Sequence, residues 1–292
     1  MKTWLLWLIA FVVTLTTAIY QRSTGPTHPK SIAGDGYVLS CPRSLITEIN
    51  PQQAQGDWES LNKTSVLKIR VKTPKDDREH AMLLSDDTQA HLYYKRARSQ
   101  EEWQAVALTA GAKGRLEALL PSQPPAGKLA YYINISGQAL SQENPIIIRF
   151  RNDVPAWALL PHILFMFVAM LFSTFCGLFV LKRNSNWKKY AWMCFATLLA
   201  GGFILGPIIQ KYAFGAYWTG WPLGDDLTDT KTLVAAGFWL VALLFAGKKS
   251  GRLLAVLAAV ALLVVFSIPH STAGSEFNYE TGLVETEPIR RE

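Results

Sequence analysis

Five apolar runs constrain this chain more than any other feature: Trp4–Tyr20, Pro155–Leu181, Tyr190–Ile209, Thr230–Ala246 and Leu253–Ile268. Only the fourth holds a formal charge, Lys231, and that residue stands at the mouth of the run. A helix rises about 1.5 Å per residue, so about 20 apolar residues cross a hydrocarbon core of about 30 Å. The fourth and fifth runs reach that span only just. A chain so built reads as an integral membrane protein. Its mean hydropathy is nevertheless only +0.14, so the average hides two unlike parts.

The net charge of +7 would suggest a nucleic-acid partner if the basic residues clustered on a soluble surface. Here they flank the apolar runs, which makes the bilayer the first partner and leaves no nucleic acid expected. Lys2 precedes the first run, Lys182, Arg183, Lys188 and Lys189 separate the second from the third, and Lys248, Lys249 and Arg252 separate the fourth from the fifth. By the positive-inside rule those positions are cytoplasmic. Asp225, Asp226 and Asp229, and the Glu-rich C-terminal tail, fall on the other side. Charge and parity predict a cytoplasmic N-terminus, with residues 21–153 and the C-terminus outside.

The expected division is a transmembrane anchor at 1–20, a linker at 21–59, a β-sandwich at 60–153, a four-helix transmembrane domain at 154–270 and an outer tail at 271–292. Lys2, the first apolar run and Thr16-Thr17-Ala18 also satisfy a loose signal-peptide pattern. The uncharged length, above the about 7–15 residues of a signal core, favours an uncleaved anchor. Gly202 and Gly206 form a G-x-x-x-G pair, and Ala255 with Ala259 a second small-residue pair; both allow close helix approach. Pro207 predicts a kink in the third span, followed by an aromatic outer loop over 210–229.

Beyond Ser65 the period changes. Leu67, Ile69 and Val71 alternate with Lys68, Arg70 and Lys72, as in a half-buried strand. Similar runs at Ala81–Leu84, Leu92–Tyr94, Trp103–Leu108, Arg115–Leu120, Leu129–Ile135 and Ile146–Phe150 predict a sandwich, with an extra strand at Tyr37–Leu39 inside the linker. The stretch Leu120–Ile135, with Tyr131-Tyr132, resembles the late strands of fibronectin type III or immunoglobulin-like modules. That likeness implies a fold and no activity. Cys41 is alone in this region, so no disulfide is expected within it, and Cys176 and Cys194, which lie in spans, read as small buried hydrophobes.

The chain holds no phosphate-binding glycine loop, H-E-x-x-H, C-x-x-C or G-x-S-x-G. The chemistry that remains is a set of ionisable residues placed by topology at the outer membrane face: His162 after Pro161, His270 after Pro269, and Asp225, Asp226 and Asp229 before the fourth span. Two imidazoles with Asp226 and Asp229 suit zinc, copper or iron, with Asp225 and Glu276 as further ligands or supports. Haem between His162 and His270 is the less favoured variant, because His270 sits at a helix tip. The bland reading is that Asp229 caps the fourth helix and the other acids are solvated.

Residues Tyr20–Thr27, Arg149–Pro155, Tyr217–Pro222 and Ile268–Ser271 resemble segments of a family of bacterial inner-membrane proteins without an assigned activity. The resemblance implies a bacterial envelope location and this domain order. Two functions are expected from different classes. The first is a non-catalytic accessory or assembly subunit that displays the sandwich to partner proteins. The second is a metal- or haem-dependent membrane enzyme or redox subunit at the His/Asp cluster. A transporter ranks third, because no span carries a charge at mid-membrane depth and no inverted repeat is evident.

Overall fold

The computed structural model describes residues 2–72, 89–112, 114–184, 186–270 and 274–286. The strand expected at Ala81–Leu84 lies outside them. The chain divides into two units: Met1–Pro26 with Val154–Ser275 and Glu285–Glu292, and Thr27–Asp153 with Glu276–Val284.

The first unit is helical. Its elements are α1 (Thr3–Thr24), α2 (Ala156–Leu181), α3 (Trp187–Phe214), α4 (Leu227–Leu244) and α5 (Gly251–Ser267). The first four are long and apolar enough to cross a membrane, and α5, at 17 residues, is shorter. Small residues and rings set the packing. A Cβ on Gly177 of α2 would lie 2.8 Å from the Ala259 Cβ of α5, so the fifth run's small-residue pair does meet a neighbour. Gly202 does the same for α4, since a Cβ there would lie 2.6 Å from the Thr232 Cγ2. Trp7 of α1 stacks on Phe175 of α2 at 3.8 Å, and Tyr190 of α3 meets Phe175 edge-on at 4.7 Å. Such pairs contribute about 0.5–1.5 kcal/mol beyond their buried area.

The kink expected at Pro207 is a π-helical turn over Leu199–Leu205, just ahead of that proline. Proline brings no N–H and crowds the preceding turn, and a widened turn relieves both.

The second unit holds two sheets with a shared core. One has the order β1-β2-β4-β8-β7, formed by Lys30–Ala33, Val38–Cys41, Thr64–Lys72, Arg115–Pro121 and Thr109–Gly111 respectively. The other runs β3-β11-β9-β5-β6, formed by Ser44–Ile46, Ile146–Arg151, Lys128–Ile135, Ala90–Arg96 and Gln104–Ala107, with β10 (Gln138–Leu140) beside β9. Strand β4 alternates buried and exposed along its whole length, as its sequence period requires. Leu39, Leu67, Ile69, Leu92, Leu116, Tyr131, Ile148 and Phe150 fill the core. Residues 30–46, expected mainly as linker, supply β1, β2 and β3 and so belong to both sheets. The run Trp103–Leu108 is not one strand: β6 pairs with β5, and β7, two residues on, pairs with β8 in the other sheet. Leu108 is buried at that switch. Part of the expected tail also joins this unit, with Phe277 of β12 (Ser275–Asn278) buried and its N–H donated to the Ala126 carbonyl at 3.3 Å. β12 pairs with β13 (Leu283–Thr286) in a two-stranded sheet.

All three cysteines are free and buried. Burial pushes the Cys41 thiol up to about 12 from 9.0. The native state therefore keeps a proton that the unfolded chain loses above about pH 9, and the stability of the sandwich should be intact below that pH and fall as pH rises through it. Iodoacetamide at pH 9 should leave Cys41 unmodified in the folded protein and modify it fully in guanidinium, as read by peptide mass mapping.

Candidate functional site

Polar and ionisable side chains collect in the helical unit around the start of α4 and the end of α5. A helix start leaves its first N–H groups without partners, and Asp226 answers as the N-cap of α4, its Oδ1 accepting from the Thr228 N–H at 2.7 Å. Its Oδ2 accepts from the Ser275 N–H at 3.2 Å and the Ser275 hydroxyl at 3.1 Å. Asp229, one turn on, turns its Oδ2 back to the preceding loop and accepts from the Thr219 N–H at 2.8 Å and the Gly220 N–H at 3.2 Å. Gly220 is required by this approach, since a Cβ there would lie 2.5 Å from the Asp229 Cβ. Gln210 Nε2 donates to the Thr219 hydroxyl, tying the end of α3 into the same knot.

The cation of the cluster serves the neighbouring helix. Lys231 is 3% exposed, and its Nζ donates to the Ile268 carbonyl at 2.6 Å, just beyond α5. Gln21 of α1 adds Nε2 to the Phe266 carbonyl at 3.0 Å. An ammonium at a helix C-terminus also opposes the negative end of the dipole. His162 sits on α2 beside the π turn, where its Nδ1 lies 2.9 Å from the Gly201 carbonyl. That partner is an acceptor only, so Nδ1 carries a proton. His270 is exposed, beyond the end of α5.

The structure thus brings Asp226 and Asp229 together around Thr219. Asp225 is exposed and stands apart. Glu276 goes elsewhere: in the sandwich unit it pairs with Lys128 at 2.9 Å and Arg98 at 3.4 Å. Among the described residues no group of three or more His, Cys, Asp or Glu side chains could hold a metal ion. Sequence reasoning missed Gln210, Thr219 and Ser275, neutral side chains that carry no motif. Lys231 was visible as the lone charge in an apolar run.

No family model, characterised protein or solved structure matches this chain.

Replacing Asp229 with Ala should leave two loop amides without their acceptor, at about 1–3 kcal/mol each. A clear fall in the melting temperature of the detergent-solubilised protein is expected, with a smaller fall for Asp229→Asn, which keeps one oxygen acceptor, and none for Asp225→Ala.

Proposed function

We propose that this chain is a non-catalytic accessory or assembly protein of a bacterial inner membrane, which anchors a β-sandwich outside the membrane and offers it to partner proteins. The observation that carries this reading is the use made of the ionisable groups in the helical unit. A general base or a metal ligand needs a free lone pair aimed at a substrate or an ion. Asp226, Asp229 and Lys231 instead meet loop amides, a serine and a helix end.

Two further observations support the proposed arrangement. Leu6 and Ala10 of α1 are buried in the helical unit, as suits a retained anchor rather than a cleaved signal. Glu276–Val284 belongs to the same unit as Thr27–Asp153, which favours an even number of crossings between residues 154 and 275. Helices α2, α3, α4 and α5 supply four, so the short α5 counts as a span. The basic pairs Lys182-Arg183, Lys188-Lys189 and Lys248-Lys249 then mark the cytoplasmic loops.

Cysteines placed at Lys182 and Glu280, both exposed, test the topology in spheroplasts. An impermeant maleimide should label Glu280→Cys and spare Lys182→Cys, and the reverse pattern overturns the orientation. Purified protein should carry no stoichiometric transition metal and no haem absorption. A metal that the wild type retains and His270→Ala loses would overturn the non-catalytic reading in favour of a metalloenzyme.

A further inference from the structure

We propose that a cleft lined by residues of both sheets of the sandwich is a binding site for a neutral saccharide. Its volume of about 490 Å³ lies in the range of small-molecule sites, about 300–1,000 Å³. Trp58 and Tyr94 give it aromatic surface, and Asn62, Gln104, Glu59 and Glu101 give it planar hydrogen-bonding groups.

The cations of the cleft decide the class of ligand, because each already has partners in the chain. Arg96 pairs with Glu59 and, at 3.7 Å, with Glu101, while its guanidinium lies 4.7 Å from the centre of the Tyr279 ring. Lys63 donates to the Glu48 carbonyl at 2.7 Å, and Lys95 to the Ser99 carbonyl at 3.1 Å. A phosphate or carboxylate ligand would have to break these pairs and would also meet the two glutamates. A cationic ligand would meet three cations. A sugar avoids both conflicts: each hydroxyl donates and accepts, and its C–H faces lie well on aromatic rings. The site is also held in shape. The Tyr94 hydroxyl donates to Gln104 Oε1 at 2.7 Å, which holds the amide and leaves its two N–H donors outside that bond. Groups ordered before binding cost less to engage.

This inference names a ligand for the sandwich and does not depend on the accessory role, which is tested at the helical unit and by topology. The test uses the full chain in a detergent without a sugar headgroup, titrated calorimetrically with chitotriose, maltotriose and cellotriose, and with inorganic phosphate. At least one trisaccharide should bind with Kd of about 5 mM or tighter. Gln104→Ala, a change at an exposed edge position, should weaken that binding at least about fivefold, and Trp58→Ala should abolish it. No binding by any of the three, equal affinity in wild type and Gln104→Ala, or competition by phosphate would each overturn the proposal.

Discussion

Helix ends govern the polar chemistry of the helical unit. A helix start leaves four N–H groups and a helix stop four C=O groups without partners, and bilayer lipid supplies none. The start of α4 and the end of α5 are drawn together here, and both needs are met from within the chain. Asp226 caps one and Asp229 holds the loop that leads to it, while Lys231 and Gln21 cover carbonyls of the other. The signs follow the dipoles, with carboxylates at the positive end of α4 and an ammonium at the negative end of α5. Buried charges that would each be costly alone thus offset a second cost, that of bare backbone. Asp226 and Lys231 also lie close enough to attract one another.

That economy bears on function. Ionisable residues near membrane depth are functional candidates by default, and the same side chains drew attention in the sequence for that reason. Their partners show a structural use for them. Asp226 accepts a helix amide and Ser275, and Asp229 accepts two loop amides through its Oδ2, so both carboxylates have a structural task. The sandwich differs, because its Glu59, Arg96, Glu101 and Gln104 surround open space as well as one another. Groups ordered by their neighbours but facing a cleft can recognise a ligand without giving up the contacts that place them.

What could be read from the sequence, and what could not, follows from the range of the forces involved. Strand β4 and the helices announce themselves because a repeating period reports a repeating environment. Strands β1 and β3 have four and three residues and escape any period, and prolines around them argue for a linker. The switch of sheets at Leu108 hides inside a continuous alternating run, since alternation says which residues are buried but not in which sheet. The site was legible only in part. Asp226, Asp229 and Lys231 stood out as charges beside apolar runs, whereas Thr219 and Ser275 look like any loop residue until the chain folds them against an acid. Glu276 misled because nothing in the sequence shows that Lys128 and Arg98 take its carboxylate.

The fate of Glu276 carries one more consequence. Lys128 and Arg98 hold it, Phe277 is buried, and the Tyr279 hydroxyl donates to Gln123 Oε1 at 2.9 Å, so a segment made after the last helix forms part of the sandwich unit. Chains fold from the N-terminus as they are made, so strands β1 to β11 can form before α2 exists, while the strand that meets Ala126 comes only after α5. The buried face that receives Phe277 waits uncovered through the synthesis of α2 to α5. Completion of the sandwich is therefore tied to completion of the helices: a chain that stops short at α5 leaves the Trp58 ring without Phe277 and Tyr279, and the Arg96 guanidinium without the ring it stacks on.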